Sequence, residues 1–447
     1  MNTHQTTSLL LGLAAIVILA RVLGALARRL GQPAVIGEVL AGIALGPTLF
    51  HGAISDALFP VSIRPLLSAL AAVGVAVFMF IVGLEWDAKL IRGSGSLAVG
   101  ISFSSIVVPF GLGTVLALYL MNDYGTDNQT AFMLFMGIAM SITAFPVLAR
   151  ILTDRNMTRT PLGVVALACA SIDDVLAWSV LAAVVAISGS ADGDQWRILL
   201  AIPYLLGMLF VLRPLLQRYV ARRPALRLTP TVFGCIIAGL LLSAAATEWV
   251  GLHYIFGAFL FGVILPRTGT EQLRSKVHER LGEMNGTLLL PVFFLVAGLK
   301  VDLSGLNMDG LGALALILLV AVGGKFIGAF TAARLNRMPV RQSAALATLM
   351  NTRGLTELIV LNVGLQLGFL DKGLYSLMVV MAVVTTAMAG PLLSWLLGKP
   401  SRNNLTETPE NPEASEASEA SEASEAPGAP EKLEASERTA AAVRTSV

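Results

Sequence analysis

The chain has 447 residues, of which 55% are hydrophobic and only 13% are charged, and its formal net charge is +2. An average soluble domain carries roughly 25% charged residues, so this composition excludes an ordinary soluble protein and indicates an integral membrane protein. The small net charge gives no indication of a nucleic-acid partner.

Thirteen apolar segments follow one another along the chain, and apolar runs long enough to cross a bilayer recur over nearly its whole length. We therefore expect an all-α polytopic membrane protein with about thirteen transmembrane helices. The predicted spans are residues 8–27, 33–50, 66–84, 96–121, 130–152, 161–188, 196–217, 228–247, 252–266, 286–299, 310–333, 341–366 and 372–397.

The acidic repeat SEASEASEASEAP cannot bury a core, so residues 401–447 are predicted to be a disordered cytoplasmic tail.

Basic residues in the loops predict the orientation of the chain. The loops after odd-numbered spans, together with the C-terminal flank, contain 21 Lys and Arg residues, whereas the loops after even-numbered spans contain 4. Because cytoplasmic loops are enriched in positive charge, the N-terminus is expected outside and the C-terminus in the cytoplasm. We expect the membrane to be the plasma membrane.

The two halves of the chain carry similar motifs. Gly37 and Gly42 in IGEVLAGIALGP of span 2 correspond to Gly257 and Gly262 in FGAFLFGVILP of span 9, and the end of span 3 (GLEWD) corresponds to the end of span 10 (GLKVD). If the motifs correspond, spans 1–6 and 8–13 are two six-helix repeats of opposite orientation, an arrangement typical of secondary transporters. The alternative is a chance similarity between apolar helices.

Spans 5 and 12 are equivalent members of the two repeats, and both contain residues that interrupt helices. Pro146 in SITAFPVLAR of span 5 lacks a backbone donor, and Gly354 in MNTRGLTELIV of span 12 permits irregular backbone. A kinked but continuous helix is the alternative in each case. The polar residues around both positions favour true interruptions, which a membrane tolerates where the backbone lines a site.

Charged residues inside the apolar spans are the candidate functional residues. Asp173 and Asp174 are adjacent in span 6 and lie about 100° apart around a helix, so they cannot both point into one site. Intramembrane carboxylates are costly and usually mark an ion or proton pathway, although a purely structural pair is the alternative. Lys325 in the middle of span 11 needs an anionic partner, and either aspartate is a candidate.

A second pair of charges lies in span 12. Arg353 and Glu357 are four residues apart and can pair on one face if the backbone is helical there. We favour structural neutralisation of the two charges, with tuning of an ion site as the alternative.

These features predict a cation/proton antiporter. A carboxylate at low dielectric readily takes a proton, and a dehydrated monovalent cation can neutralise the same oxygen atoms. If either the proton or the cation occupies one site, and the protein opens this site to each side of the membrane in turn, the two ions are exchanged. Such a mechanism needs no enzymatic reaction, no cofactor and no bound metal other than the transported cation. A cation channel is the main alternative. An intramembrane aspartyl protease fits less well, because it needs its two aspartates on separate helices.

Five ordered motifs carry a family resemblance. SITAFPVLARIL, ASIDDVLAW, FGAFLFGVILP, PVFFLVAGLKVDL and NTRGLTELIVLNVG resemble the monovalent cation:proton antiporter-2 family, especially its plant cation/proton exchangers and fungal potassium/proton antiporters. The resemblance covers about residues 10–397. It implies a homodimer whose transmembrane exchanger domain, residues 1–400, contains crossed discontinuous helices 5 and 12. Spans 1–3 and 8–10 would form the dimerisation part, spans 4–6 and 11–13 the core, and span 7 the linker between them.

The resemblance also implies roles for single residues. Asp174 would be the main carrier of cation and proton, Asp173 would pair with Lys325, and Thr143 would lie near the ion. Many plant relatives have Asn at the position of Asp173, and an Asp–Asp pair with lysine resembles electrogenic sodium/proton exchangers instead. The sequence therefore leaves Na⁺ and K⁺ open as the transported cation.

Overall fold

The structure is a computed structural model and describes residues 3–48, 53–85, 95–126, 128–158, 160–188, 200–222, 228–267, 269–304 and 307–398. Within these ranges all regular secondary structure is helical. The helices are α1 (Thr3–Arg29), α2 (Ala34–Leu45), α3 (Ala53–Leu58), α4 (Arg64–Glu85), α5 (Gly95–Tyr124), α6 (Gln129–Ser141), α7 (Phe145–Asp154), α8 (Pro161–Ser188), α9 (Ala201–Leu206), α10 (Arg213–Ala221), α11 (Pro230–Val250), α12 (Tyr254–Ile264), α13 (Glu271–Met284), α14 (Leu290–Leu299), α15 (Met308–Leu335), α16 (Val340–Met350), α17 (Leu355–Gln366) and α18 (Lys372–Leu397).

The all-helical membrane fold predicted from the sequence is confirmed. Among the described residues, nine helical stretches are long and apolar enough to cross a membrane, and three further apolar helices are shorter. Every predicted span overlaps a helix or a pair of helices, which is consistent with thirteen spans. The predicted disordered tail, residues 401–447, lies outside the described residues.

Spans 7 and 10 differ from their prediction in detail. Span 7 comprises α9 and α10 joined by a π-helical segment, Gly207–Leu212. The helix that contains span 10 begins fifteen residues before the predicted span, because the polar helix α13 continues through a second π-helical segment, Asn285–Leu289, into the apolar α14. Apolar composition marks only the part of a helix that lies in hydrocarbon, so it misses such polar extensions.

Helices from the two halves of the chain pack closely at glycine positions. A Cβ on Gly42 of α2 would lie 2.8 Å from Gly298 Cα of α14, and a Cβ on Gly262 of α12 would lie 2.3 Å from the Phe80 carbonyl oxygen of α4. Small residues let membrane helices approach this closely. Span 2 therefore packs on span 10, and span 3 on span 9, as an inverted repeat requires. Asp87, the last residue of the GLEWD motif that corresponds to GLKVD, lies outside the described residues.

Both predicted helix interruptions are present. Residues 142–144 separate α6 from α7, and residues 351–354 separate α16 from α17; we call them the first and second break. Pro146 lies in the first turn of α7, where its missing N–H leaves no intrahelical bond unmade. The Ala144 amide donates to the Thr352 carbonyl oxygen at 2.9 Å, so the two breaks meet.

Gly354 was expected to permit an irregular backbone at the second break, but its role there is to leave space. Its φ of 161° is extended backbone that any residue can adopt. A Cβ at this position would instead lie 2.5 Å from Val147 Cγ2 of α7, so the glycine provides room at the crossing.

Candidate cation and proton site

Helix α8 places the two adjacent aspartates beside the crossing of the breaks. Both side chains are buried, Asp173 at 0% and Asp174 at 5% exposure. Helix α15 approaches α5 closely at Gly328, which has no side chain. A Cβ at this position would lie 2.5 Å from the Ser104 carbonyl oxygen. This approach brings Lys325, one turn before Gly328, to the aspartates.

Asp173 is held by four donors. Its Oδ2 accepts from Ser105 Oγ at 3.0 Å, from Thr143 Oγ1 at 2.8 Å and from Lys325 Nζ at 3.1 Å, and its Oδ1 accepts a short hydrogen bond from Ser102 Oγ. Lys325 and Asp173 are both fully buried, so they form the ion pair that the resemblance implied. A buried carboxylate with a cation and three hydroxyl donors is compensated both in charge and in hydrogen bonding.

Thr143 connects the ion pair to both breaks. Its hydroxyl oxygen accepts from Lys325 Nζ at 2.7 Å and lies 2.9 Å from the carbonyl oxygen of Met350, the last residue of α16. This carbonyl has no intrahelical partner, because α16 ends there. Thr143 therefore joins the first break, the end of α16 and the ion pair.

Asp174 differs from its neighbour. Its Oδ1 is buried and has no hydrogen-bond partner among the described residues. The two carboxylates face different surroundings, as the helical geometry required: side-chain donors of the protein bind both oxygens of Asp173, whereas Asp174 Oδ1 has no donor among the described residues. An uncompensated buried carboxylate is unstable as an anion and favours a proton or a cation bound to it.

The second predicted pair of charges stabilises the breaks. Arg353 Nη1 lies 3.0 Å from Glu357 Oε2, although Arg353 itself precedes α17. Its guanidinium also donates to the carbonyl oxygens of Ala139 and Met140 at 2.6 and 2.7 Å. These carbonyls belong to the last turn of α6, where no intrahelical donors remain. Arg353 thus caps a helix of the first repeat from the second break.

Three residues that form hydrogen bonds to Asp173 or Arg353 were not among the candidate residues predicted from the sequence. Ser102 and Ser105 of α5 hold Asp173, and Thr386 of α18 accepts from the Arg353 amide and donates to the Arg353 carbonyl oxygen. Polar residues in the apolar runs SFSSIVV and VVTTAMA were the available signal. Within the described ranges, no three His, Cys, Asp or Glu side chains are grouped to hold a resident metal ion.

The chain is similar to known transporters over most of its length. Residues 14–399 match the family described as sodium/hydrogen exchanger, transmembrane. The chain is 40% identical to Na(+)/H(+) antiporter NhaS4 of Synechocystis sp., over 90% of this chain and 100% of that protein. It is 37% identical to Cation/H(+) antiporter 20 of Arabidopsis thaliana and 34% identical to K(+)/H(+) antiporter 1 of Saccharomyces cerevisiae. These two matches cover 87% and 81% of this chain, but only 48% and 43% of the relatives.

A solved structure has the same fold. The sodium proton antiporter MjNhaP1 from Methanocaldococcus jannaschii superimposes with a TM-score of 0.65 over 90% of this chain and 100% of that chain, at 14% sequence identity. The family match extends over most of the chain, and the cyanobacterial relative aligns over its full length. The chain therefore belongs to the sodium/hydrogen exchanger family of transmembrane proteins.

Proposed function

We propose that the protein exchanges a monovalent cation for protons across the membrane by alternating access. The single observation that carries this proposal is the contrast between the two aspartates. Asp173 has Lys325 and three hydroxyl donors, whereas Asp174 Oδ1 is buried with no donor from the described residues. Asp174 is therefore the group whose charge must be neutralised from outside the chain.

The exchange cycle follows from competition at Asp174. A proton or a dehydrated cation neutralises this carboxylate, and only one of them can occupy it at a time. Because an empty, charged Asp174 is costly in low dielectric, the site changes its side of the membrane only when it is occupied. Each passage of a cation is thereby coupled to the return of protons.

The crossed breaks support a site near the middle of the membrane. Interrupted helices in inverted repeats place binding sites near the midplane of secondary transporters. In our proposal α5–α8 and α15–α18 form the moving core, and α1, α2, α4 and α11–α14 form the dimerisation part of a homodimer. The span that contains α9 and α10 would link them. We also propose a plasma-membrane location, with the N-terminus outside and the C-terminus in the cytoplasm.

The transported cation is Na⁺ or K⁺ in this proposal. The similar proteins are named for sodium, for unspecified cations and for potassium.

Purified protein in liposomes with a preset pH gradient tests the proposal. Addition of Na⁺, K⁺ or Li⁺ should dissipate the gradient in a saturable manner, and protein-free liposomes give the background. A cation flux without obligatory proton counterflow would contradict antiport and favour a channel. Repeating the assay at clamped membrane potentials gives the stoichiometry.

A further inference from the structure

Trp178 of α8 lies one helical turn beyond Asp174. Residues four apart lie on the same face of a helix, so the indole and the Asp174 carboxylate are neighbours on one face. The Trp178 side chain is buried, at 4% exposure. Its Nε1 has no hydrogen-bond partner among the described residues, and the same holds for Asp174 Oδ1.

An unpartnered donor and an unpartnered acceptor on one buried face are complementary. Buried polar atoms in native proteins are nearly always hydrogen-bonded, to protein or to ordered water. The indole Nε1–H can only donate, and an ionised carboxylate can only accept. A single water molecule between the two atoms would satisfy both of them.

The indole ring is fixed by its packing. Its centroid lies 6.4 Å from that of Phe256 on α12, and the two rings meet edge to face at 81°. This contact joins α8 to a helix of the proposed dimerisation part. The ring therefore has a packing partner outside the site, on a different helix from Asp174.

We propose that Trp178 is a positioning residue of the ion site, and that its N–H and the Asp174 carboxylate hold one water molecule between them. This inference rests on the proposed role of Asp174 in exchange. The water would remain as a ligand of the bound cation and would stabilise the ionised carboxylate after the cation leaves. The site would then bind a cation that keeps part of its hydration shell.

Trp178→Phe tests the proposal, because it removes the N–H and keeps an aromatic ring against Phe256. We expect the cation concentration for half-maximal exchange to rise about five-fold, the loss of one ordinary hydrogen bond. The pH profile should move to higher pH, because the ionised carboxylate loses a donor. The maximal rate and the melting temperature should change little. Trp395→Phe, at an 81% exposed site, is the matched control and should leave all four quantities unchanged.

A spectroscopic measurement provides a second test that does not depend on transport. In a protein that retains only Trp178, with Trp86, Trp196, Trp249 and Trp395 changed to Phe, indole emission should shift as pH is varied. Asp174→Asn should abolish that shift. Unchanged affinity and pH profile in Trp178→Phe, or an emission unaffected by Asp174→Asn, would overturn the inference. Absence of exchange in the wild-type protein would instead refute the proposed function, and the emission would still test the water site.

Discussion

Lys325 Nζ lies 3.1 Å from Asp173 Oδ2, and neither side chain has any exposed surface. The pair connects α15 of the second repeat to α8 of the first. Because both charges are fully buried, each depends on the other for compensation of its charge. The pair is therefore a structural requirement of the site as well as an electrostatic one.

Removing the lysine should destabilise the protein strongly. Lys325→Met leaves Asp173 charged and buried with hydroxyl donors only, and breaking a buried pair in this way costs about 3–5 kcal/mol. The double variant Lys325→Met with Asp173→Asn should recover most of the loss, because it removes both charges. Thermal unfolding in detergent measures the effect.

Lys276→Met is the matched control, since Lys276 is exposed on α13. It should leave the melting temperature unchanged. Equal stability of Lys325→Met and the double variant would mean that the two charges do not compensate each other.

Arg353 should not be replaceable by lysine. Its guanidinium makes three hydrogen bonds, to two carbonyl oxygens of α6 and to Glu357, and a lysine ammonium lacks this planar fork. Each buried acceptor that loses its donor costs about 1–3 kcal/mol. Arg353→Lys should therefore lower the melting temperature, whereas Arg341→Lys, at an exposed position of α16, should not. A lysine variant as stable as the wild type would show that capping of α6 by Arg353 is unimportant.

The contact between α2 and α14 should not tolerate a methyl group. A Cβ on Gly42 would lie 2.7 Å from the Leu295 carbonyl oxygen, which is backbone and can give way only if the helices separate. We expect Gly42→Ala to destabilise by about 1–3 kcal/mol or more. Gly312→Ala on α15 is the control, because a Cβ there meets nothing within 4 Å. If both variants unfold alike, the helices are not packed as described.

The fold could be predicted from the sequence, because the long apolar runs mark the membrane spans and the paired glycine motifs mark the two repeats. Both breaks were also predictable, since Pro146 and the polar residues around Gly354 mark backbone that cannot continue as a plain membrane helix. The polar α13 was missed, because it lacks the apolar composition that identifies a span.

The different surroundings of Asp173 and Asp174 were harder to predict from the sequence. Helical geometry requires Asp173 and Asp174 to face differently, but it cannot say which one meets Lys325. That assignment depends on the close approach of α15 to α5 at Gly328, a contact between residues far apart in the chain. The hydroxyl donors on α5 reach Asp173 because α5 packs on α8, which is another contact between residues far apart in the chain. In the sequence they could be identified only as unexplained serines in an apolar run.

The most direct test of the account is proton-coupled cation exchange by Asp174→Asn in liposomes. Asparagine keeps the shape of the side chain but cannot bind a proton and a cation in turn. We predict that exchange falls to the background of empty liposomes, while the melting temperature is unchanged or higher, because an uncompensated buried carboxylate is gone. Asp309→Asn, at an exposed position of α15, should exchange at the wild-type rate. Near-normal exchange by a folded Asp174→Asn protein would show that Asp174 does not carry the cation and the proton.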